Sequence, residues 1–332
     1  MSLLEVWEEY KTLELDFWCT EELQLSDSFF ESDVPNNVGH TTALVYKIVV
    51  MLLGLNKQST EHAMFFLRTV KPPEHKCFYS FQLQQENTHM ETYCQILSCL
   101  DTWQDAGAMM AKYQKRTSAR EIIAAMEDVT DDGFGIQSLE KWMDPGFPEI
   151  LLKYAMRKYI FAAALHYLLY KLSGVLKLEK PAECWCRIQM DCNRFVSFAS
   201  FLYTHSKNKV SLECMEDEMK KVTQIIQNFV DDEIFNHDSW IRVLAGGGDR
   251  LVTKLSKLRE EVIDFTNYSV KHLVSIMSGV GENEDPTVKK YVASDAFPIL
   301  GEIISLSSVK KEKSKEELEK EMDDIFTMDS DF

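Results

Sequence analysis

Turn-forming residues are scarce in this chain, with 13 glycines and 8 prolines among 332 residues. Few stretches alternate apolar and polar residues between turn signals, which argues against a sandwich or barrel of short strands and for long helices. Long apolar runs are also missing. The most apolar stretches, Ala43 to Leu55 and Tyr159 to Leu172, are interrupted by Lys47 and by His166 and Lys171, and are too short to cross a bilayer. Met1-Ser2-Leu3-Leu4-Glu5 has no basic region ahead of an apolar one, so no secretory signal is expected. The 8 cysteines form no CxxC pair or framework spacing, and Cys184-Trp185-Cys186 is too tight for a zinc knuckle. Reduced thiols and a cytoplasmic location are the expectation. Cations are outnumbered, 36 Lys and Arg against 53 Asp and Glu for a net charge of -17, which excludes nucleic acid as a partner because phosphate binding needs clustered Lys and Arg. Gly246-Gly247-Gly248-Asp249-Arg250 lacks the lysine of a phosphate-binding loop and reads as a loop before a helix.

What is present is helical periodicity. Apolar residues recur at helical spacing over His40 to Val70, break at Pro72-Pro73, and resume from Glu74 to about Thr102. Pro145 and Pro148 precede a strongly apolar helix through Lys171, and further helices are expected over Ile188 to Ser206, Ser211 to Phe235 and Gly248 to Met277. The expected class is all-α, with residues 1–308 as one helical domain. From Val309 onward the composition is Lys/Glu-rich, which predicts a charged, flexible tail over 309–332. Within the second long helix lies Glu86-Asn87-Thr88-His89, with Tyr93 four residues on. A Glu and a His at i and i+3 leave one helical face together and offer a metal one oxygen and one nitrogen. Two such helices and two further carboxylates enclose a metal pair, so this motif is half of a dimetal site.

The surroundings of the motif are more specific. Cys77-Phe78-Tyr79-Ser80-Phe81-Gln82 leading into Glu86-Asn87-Thr88-His89-Met90-Glu91-Thr92-Tyr93 resembles the ribonucleotide reductase small subunit. Trp7-Glu8-Glu9-Tyr10-Lys11 with Phe17-Trp18-Cys19-Thr20-Glu21-Glu22 is similar to the opening segment of that family. Phe326-Thr327-Met328-Asp329-Ser330-Asp331-Phe332 is similar to its C-terminal peptide. The resemblance implies a ferritin-like bundle in which Glu86 and His89 are metal positions and Tyr93 is the radical position. It also implies a radical-transfer line through Trp18, Asp191 and His89.

The other ligand positions depart from the pattern. Counted without gaps, the family's aspartate falls at Leu55 and a glutamate at Arg157. After Ile188-Gln189-Met190-Asp191, Cys192 replaces the glutamate and Phe195 the histidine of the second motif. Glu61, His62 and His166 lie about two turns or more from the lost positions, and no convergent ligand set is expected from them. Arg157 is expected to put its guanidinium where a metal should sit and to pair with Glu86 as a buried ion pair. Cys192 reads as a buried thiol acting as a small hydrophobe. No cofactor is therefore expected, with residual iron or manganese at Glu86 and His89 as the remaining option. After Tyr291 there is no tyrosine, and Glu312 stands about where the family's tail tyrosine is expected.

Docking remains. Phe326 and Phe332 bracket Asp329 and Asp331, which suits a peptide that anchors to the large subunit through aromatics and carboxylates. The resemblance thus implies a metal-site-deficient, auxiliary small subunit of ribonucleoside-diphosphate reductase. Such a protein would pair with another small subunit, as a homo- or heterodimer, and with the large subunit. An active subunit holding an unconventional or metal-free tyrosyl radical is one alternative, and a non-catalytic protein that binds the large subunit is another.

Overall fold

The computed structural model describes residues 3–25, 38–100, 106–113, 115–130, 146–176, 179–236, 248–278 and 297. The helices are α1 (Leu3–Leu15), α2 (Val38–Thr69), α3 (Pro73–Cys99), α4 (Ala106–Tyr113), α5 (Thr117–Glu127), α6 (Phe147–Leu176), α7 (Glu179–Thr204), α8 (Leu212–Phe229) and α9 (Gly248–Ser278). A 3-10 turn over Thr20–Leu23 follows α1, and a π turn over Val230–Ile234 extends α8. No strand occurs among the described residues, and no described helix is long and apolar enough to cross a membrane. The expected 309–332 tail and its peptide Phe326, Asp329, Asp331 and Phe332 lie outside the described residues.

Local rules set the helix ends. Pro72 takes an extended conformation (φ -59°, ψ 133°) and Pro73 opens α3, where a missing N–H costs nothing. Ser211 caps α8 by accepting a hydrogen bond from the Cys214 N–H at 3.2 Å. Gln24 ends the 3-10 turn in the left-handed region (φ 49°). Gly248 opens α9, so the glycine-rich stretch leads into a helix as expected.

Two helix pairs position everything that follows: α2 packs on α3, and α6 packs most extensively on α7. Each pair is joined by a very short connection, which makes its members antiparallel neighbours. Helix α6 is covered on all sides, because α2, α5, α7, α8 and α9 all pack against it. A helix apolar nearly all round belongs at a centre. An aromatic wedge of Phe66, Tyr79, Phe78 and Phe198 ties α2, α3 and α7 together, with the Phe78 and Phe198 rings stacked at 3.6 Å. Any polar group on α6 must find a partner inside this core.

Candidate active site

The four central helices each send polar side chains to one small cavity of about 20 Å³, room for about one water-sized molecule. Asn56 and Ser59 come from α2, and Glu86, His89 and Tyr93 from α3. Lys158 and His166 come from α6, and Cys192 from α7. Their spacings of three, four, seven and eight residues keep each set on one helical face.

Glu86 is 1 % exposed and fully engaged. Its Oε1 accepts from Lys158 Nζ at 2.6 Å and from Ser59 Oγ at 2.5 Å, and its Oε2 accepts from Asn56 Nδ2 at 2.7 Å. Ser59 Oγ in turn accepts from the Lys158 ammonium. Burial pushes the Glu86 carboxyl up, but the Lys158 ammonium and the His89 ring together hold it far below the usual carboxylate range. Burial likewise works against the Lys158 charge, and the Glu86 carboxylate overrides it, so the ammonium is raised above its ordinary value. The two form a buried ion pair.

Beside it stands a second charged cluster. Asp191 Oδ2 accepts from the Trp18 indole Nε1 at 2.8 Å, from Gln85 Nε2 at 3.0 Å, and pairs with His89 Nε2 at 2.9 Å. The Trp18 and His89 rings stack with centroids 5.9 Å apart. His89 Nδ1 lies 3.7 Å from Glu86 Oε2. Burial disfavours the imidazolium, but hydrogen bonds to Asp191 and Glu86 outweigh it and raise the ring's pKa. Trp18, Asp191 and His89 therefore form one hydrogen-bonded chain.

Tyr93, 3 % exposed, hydrogen bonds elsewhere: its hydroxyl lies 2.8 Å from His166 Nε2. His166 Nδ1 lies 2.8 Å from Gln189 Oε1, and Gln189 Nε2 donates to Asn193 Oδ1 at 2.7 Å. The amide orientation fixes the rest. Gln189 presents its oxygen, so His166 Nδ1 carries the proton, and Nε2 accepts from the Tyr93 phenol. Burial lowers the His166 pKa to about 3 and pushes the Tyr93 phenol well above its ordinary value, so both are neutral.

One sequence expectation needs correction. Arg157 does not pair with Glu86: its guanidinium donates to Glu218 and to Asp128 at 2.5 Å and 2.9 Å and to the Ala125 carbonyl at 2.5 Å. The cation at Glu86 is the next residue, Lys158, because one step along a helix turns a side chain by about 100°. His166, named in the sequence only as a residue that would not restore a ligand set, lines the cavity and bonds Tyr93. The other lost positions fall in or beside the site. Leu55 lines the cavity, and the polar contacts in that turn come from Asn56 and Ser59. Cys192 lines it with a thiol that burial pushes up to about 12, against the pull of Lys158, and which is therefore neutral. Phe195 packs 5.4 Å from Lys158 Nζ and 6.3 Å from the His89 ring.

The donor set does not fit a pair of metal ions. Among the described residues lining the cavity, Glu86 is the sole carboxylate, and it is occupied by an ammonium, a hydroxyl and an amide. Both nearby carboxylates already face cationic groups, Glu86 the Lys158 ammonium at 2.6 Å and Asp191 the Arg194 guanidinium at 3.6 Å and a His89 drawn toward its charged form. Two divalent cations would add charge with no anionic oxygens to meet it. Among the described residues no group of three or more His, Cys, Asp or Glu side chains is placed to hold a metal.

Antiparallel helix pairs that converge polar residues on a buried centre define a ferritin-like bundle. The profile described as "Ribonucleotide reductase, small chain" matches residues 2–257, and the protein belongs to that family. Ribonucleoside-diphosphate reductase small chain 1 of Saccharomyces cerevisiae is 26% identical over 242 residues, which covers 69% of this sequence and 55% of the yeast protein's length. An Arabidopsis thaliana small subunit of the same reductase is 25% identical over 266 residues, covering 76% of this sequence and 74% of the relative. Among solved structures, the Rnr4 homodimer from Saccharomyces cerevisiae superposes with a TM-score of 0.63 at 17% identity, over 84% of this protein and 80% of that one.

Proposed function

We propose that this protein is an auxiliary small subunit of ribonucleoside-diphosphate reductase, one that does not assemble a dimetal centre of its own. The observation that carries the reading is the Lys158–Glu86 ion pair at 2.6 Å in the middle of the bundle. An ammonium there neutralises the retained carboxylate, and its neighbours Leu55, Cys192 and Phe195 bring no anion. The fold is kept while the chemistry of metal loading is not. In this role the protein pairs with an intact small subunit and docks to the large subunit through Phe326, Asp329, Asp331 and Phe332.

Mixing the purified protein with an intact small subunit of the same source, followed by native mass spectrometry, tests the pairing. Heterodimers in excess of either homodimer are expected. Ribonucleotide reduction by this protein with the large subunit alone, after iron and oxygen treatment, would overturn the reading. Deleting residues 326–332 is expected to abolish large-subunit binding while the helical circular dichroism stays unchanged. Unaltered binding would remove the docking peptide from the account.

A second reading is favoured by one specific observation. Lys158 and the Tyr93–His166 bond give a metal-free site with an internal cation and a hydrogen-bonded phenol. An active subunit with a metal-free tyrosyl radical would use those features, and activity as a homodimer distinguishes it.

A further inference from the structure

The hydrogen-bond series Asn193–Gln189–His166–Tyr93 has one direction. Asn193 Oδ1 takes the Gln189 amide proton, Gln189 Oε1 takes the His166 Nδ1 proton, and His166 Nε2 is left as an acceptor aimed at the Tyr93 hydroxyl 2.8 Å away. Rings of Tyr93 and His166 lie nearly parallel, 20° apart with centroids at 6.2 Å. All four residues are buried or nearly so, at 0 to 3 % exposure. The Tyr93–His166 bond runs along the wall of the cavity of about 20 Å³ that both residues line.

From this geometry we infer that His166 is the proton acceptor of Tyr93, so that loss of one electron from the phenol moves its proton to His166 Nε2 and leaves a neutral phenoxyl radical beside an imidazolium. The step balances simply. A one-electron oxidant outside the protein, an oxidised metal complex or a radical on another polypeptide, takes the electron. The Tyr93 O–H bond breaks, an N–H bond forms on Nε2, and re-reduction reverses both. A phenol that has lost an electron is a far stronger acid than an imidazolium, so transfer is downhill even to a weak base.

Charged and titratable groups lie around the pair. From α3 come the Glu86 carboxylate and His89, from α6 the Lys158 ammonium, and from α7 the neutral Cys192 thiol. His89 and Lys158 both work against a charge on His166 and the Glu86 carboxylate favours it, so the imidazolium persists only while the oxidised phenol is the stronger acid. Gln189 is a positioning residue: it holds the tautomer that leaves Nε2 free. The protein supplies the proton acceptor, and the oxidant comes from outside. The inference concerns the isolated protein and stands apart from its role in any assembly.

Oxidation of the full-length protein by flash-generated tris(bipyridine)ruthenium(III), with freeze-quenching in H2O and D2O and electron paramagnetic and nuclear double resonance, is the test. A tyrosyl radical with one strongly coupled exchangeable deuteron is expected in the parent protein and absent in Tyr93→Phe. His166→Phe is expected to lose the deuteron coupling and to lower the yield or lifetime of that radical at least tenfold. If His166→Phe does not give the parent circular dichroism, Gln189→Leu carries the test, with a changed coupling and a several-fold lower yield expected. A radical whose coupling and yield are unchanged in the folded variant, or spectra that coincide in the parent and Tyr93→Phe, would overturn the inference.

Discussion

Replacing Lys158 by methionine keeps most of the side chain's volume and removes its charge together with its hydrogen bonds to Glu86 and Ser59. Glu86, 1 % exposed, would then keep Ser59 and Asn56 but lose the ammonium at 2.6 Å. The gross attraction at that separation is about 6 kcal/mol at an effective dielectric of 20. Desolvation of both ions offsets much of it, and removal of one partner from a buried pair typically costs about 3–5 kcal/mol. In a protein of 332 residues that is roughly 4–7 °C in melting temperature. Glu86→Gln is expected to cost a similar amount, because it strands the ammonium. The double variant Lys158→Met/Glu86→Gln strands nothing, so it should lie no lower than either single variant. The coupling read from this cycle by thermal and urea unfolding is expected to reach about 3 kcal/mol. Strictly additive losses, or a Lys158→Met variant within about 0.5 kcal/mol of the parent, would refute the ion pair as the organising contact.

Other predictions follow from the same contacts. Arg157→Met should destabilise by breaking the Glu218 and Asp128 pairs, yet leave the Lys158–Glu86 coupling unchanged in a repeated cycle; a changed coupling would return Arg157 to the site. Trp18→Phe removes a 2.8 Å hydrogen bond to Asp191, with an expected loss of about 1.5–3 kcal/mol by urea unfolding; a neutral result would make Trp18 plain core. His62 and His166 are buried and lowered to about 4 and about 3, by desolvation first. Each folded pKa lies below the unfolded value, so the unfolded state binds more protons as pH falls below about 6.5, and stability drops with pH. Between pH 7 and 5 each is expected to remove about 2 kcal/mol. The raised His89 opposes this, because its contribution is present at low pH and fades as pH rises through its folded pKa. His62→Gln should remove roughly half of the loss assigned to the two, and an unchanged pH slope would contradict the assignment.

The helices were legible because their apolar periodicity and their punctuation are strong signals. Pro72-Pro73 ends one helix and begins the next where expected, and α2, α3, α6 and α9 lie within a few residues of their expected bounds except that α6 runs on to Leu176. Helix α7 begins at Glu179, nine residues ahead of the expected Ile188, because Cys184 and Trp185 are as buried as the residues beyond them. In the site, Glu86 and His89 were legible as a motif, and Trp18 and Asp191 through the family resemblance. Lys158 and His166 were not, because counting without gaps assigns one position and a helix turns about 100° per residue. A different signal was available. Lys158 and His166 are titratable residues in the most apolar helix of the protein, and buried polar groups must be partnered. Asking what could partner them points to Glu86 and Tyr93.

The proposed auxiliary role requires that the Lys158–Glu86 pair take the place of metal at the centre of the bundle. Metal content per polypeptide, measured by inductively coupled plasma mass spectrometry on protein purified alone after iron and manganese supplementation, tests it most directly, with low-temperature electron paramagnetic resonance alongside. Near zero metal and no spontaneous tyrosyl signal are expected. Close to two metals per polypeptide with a tyrosyl radical would contradict that role.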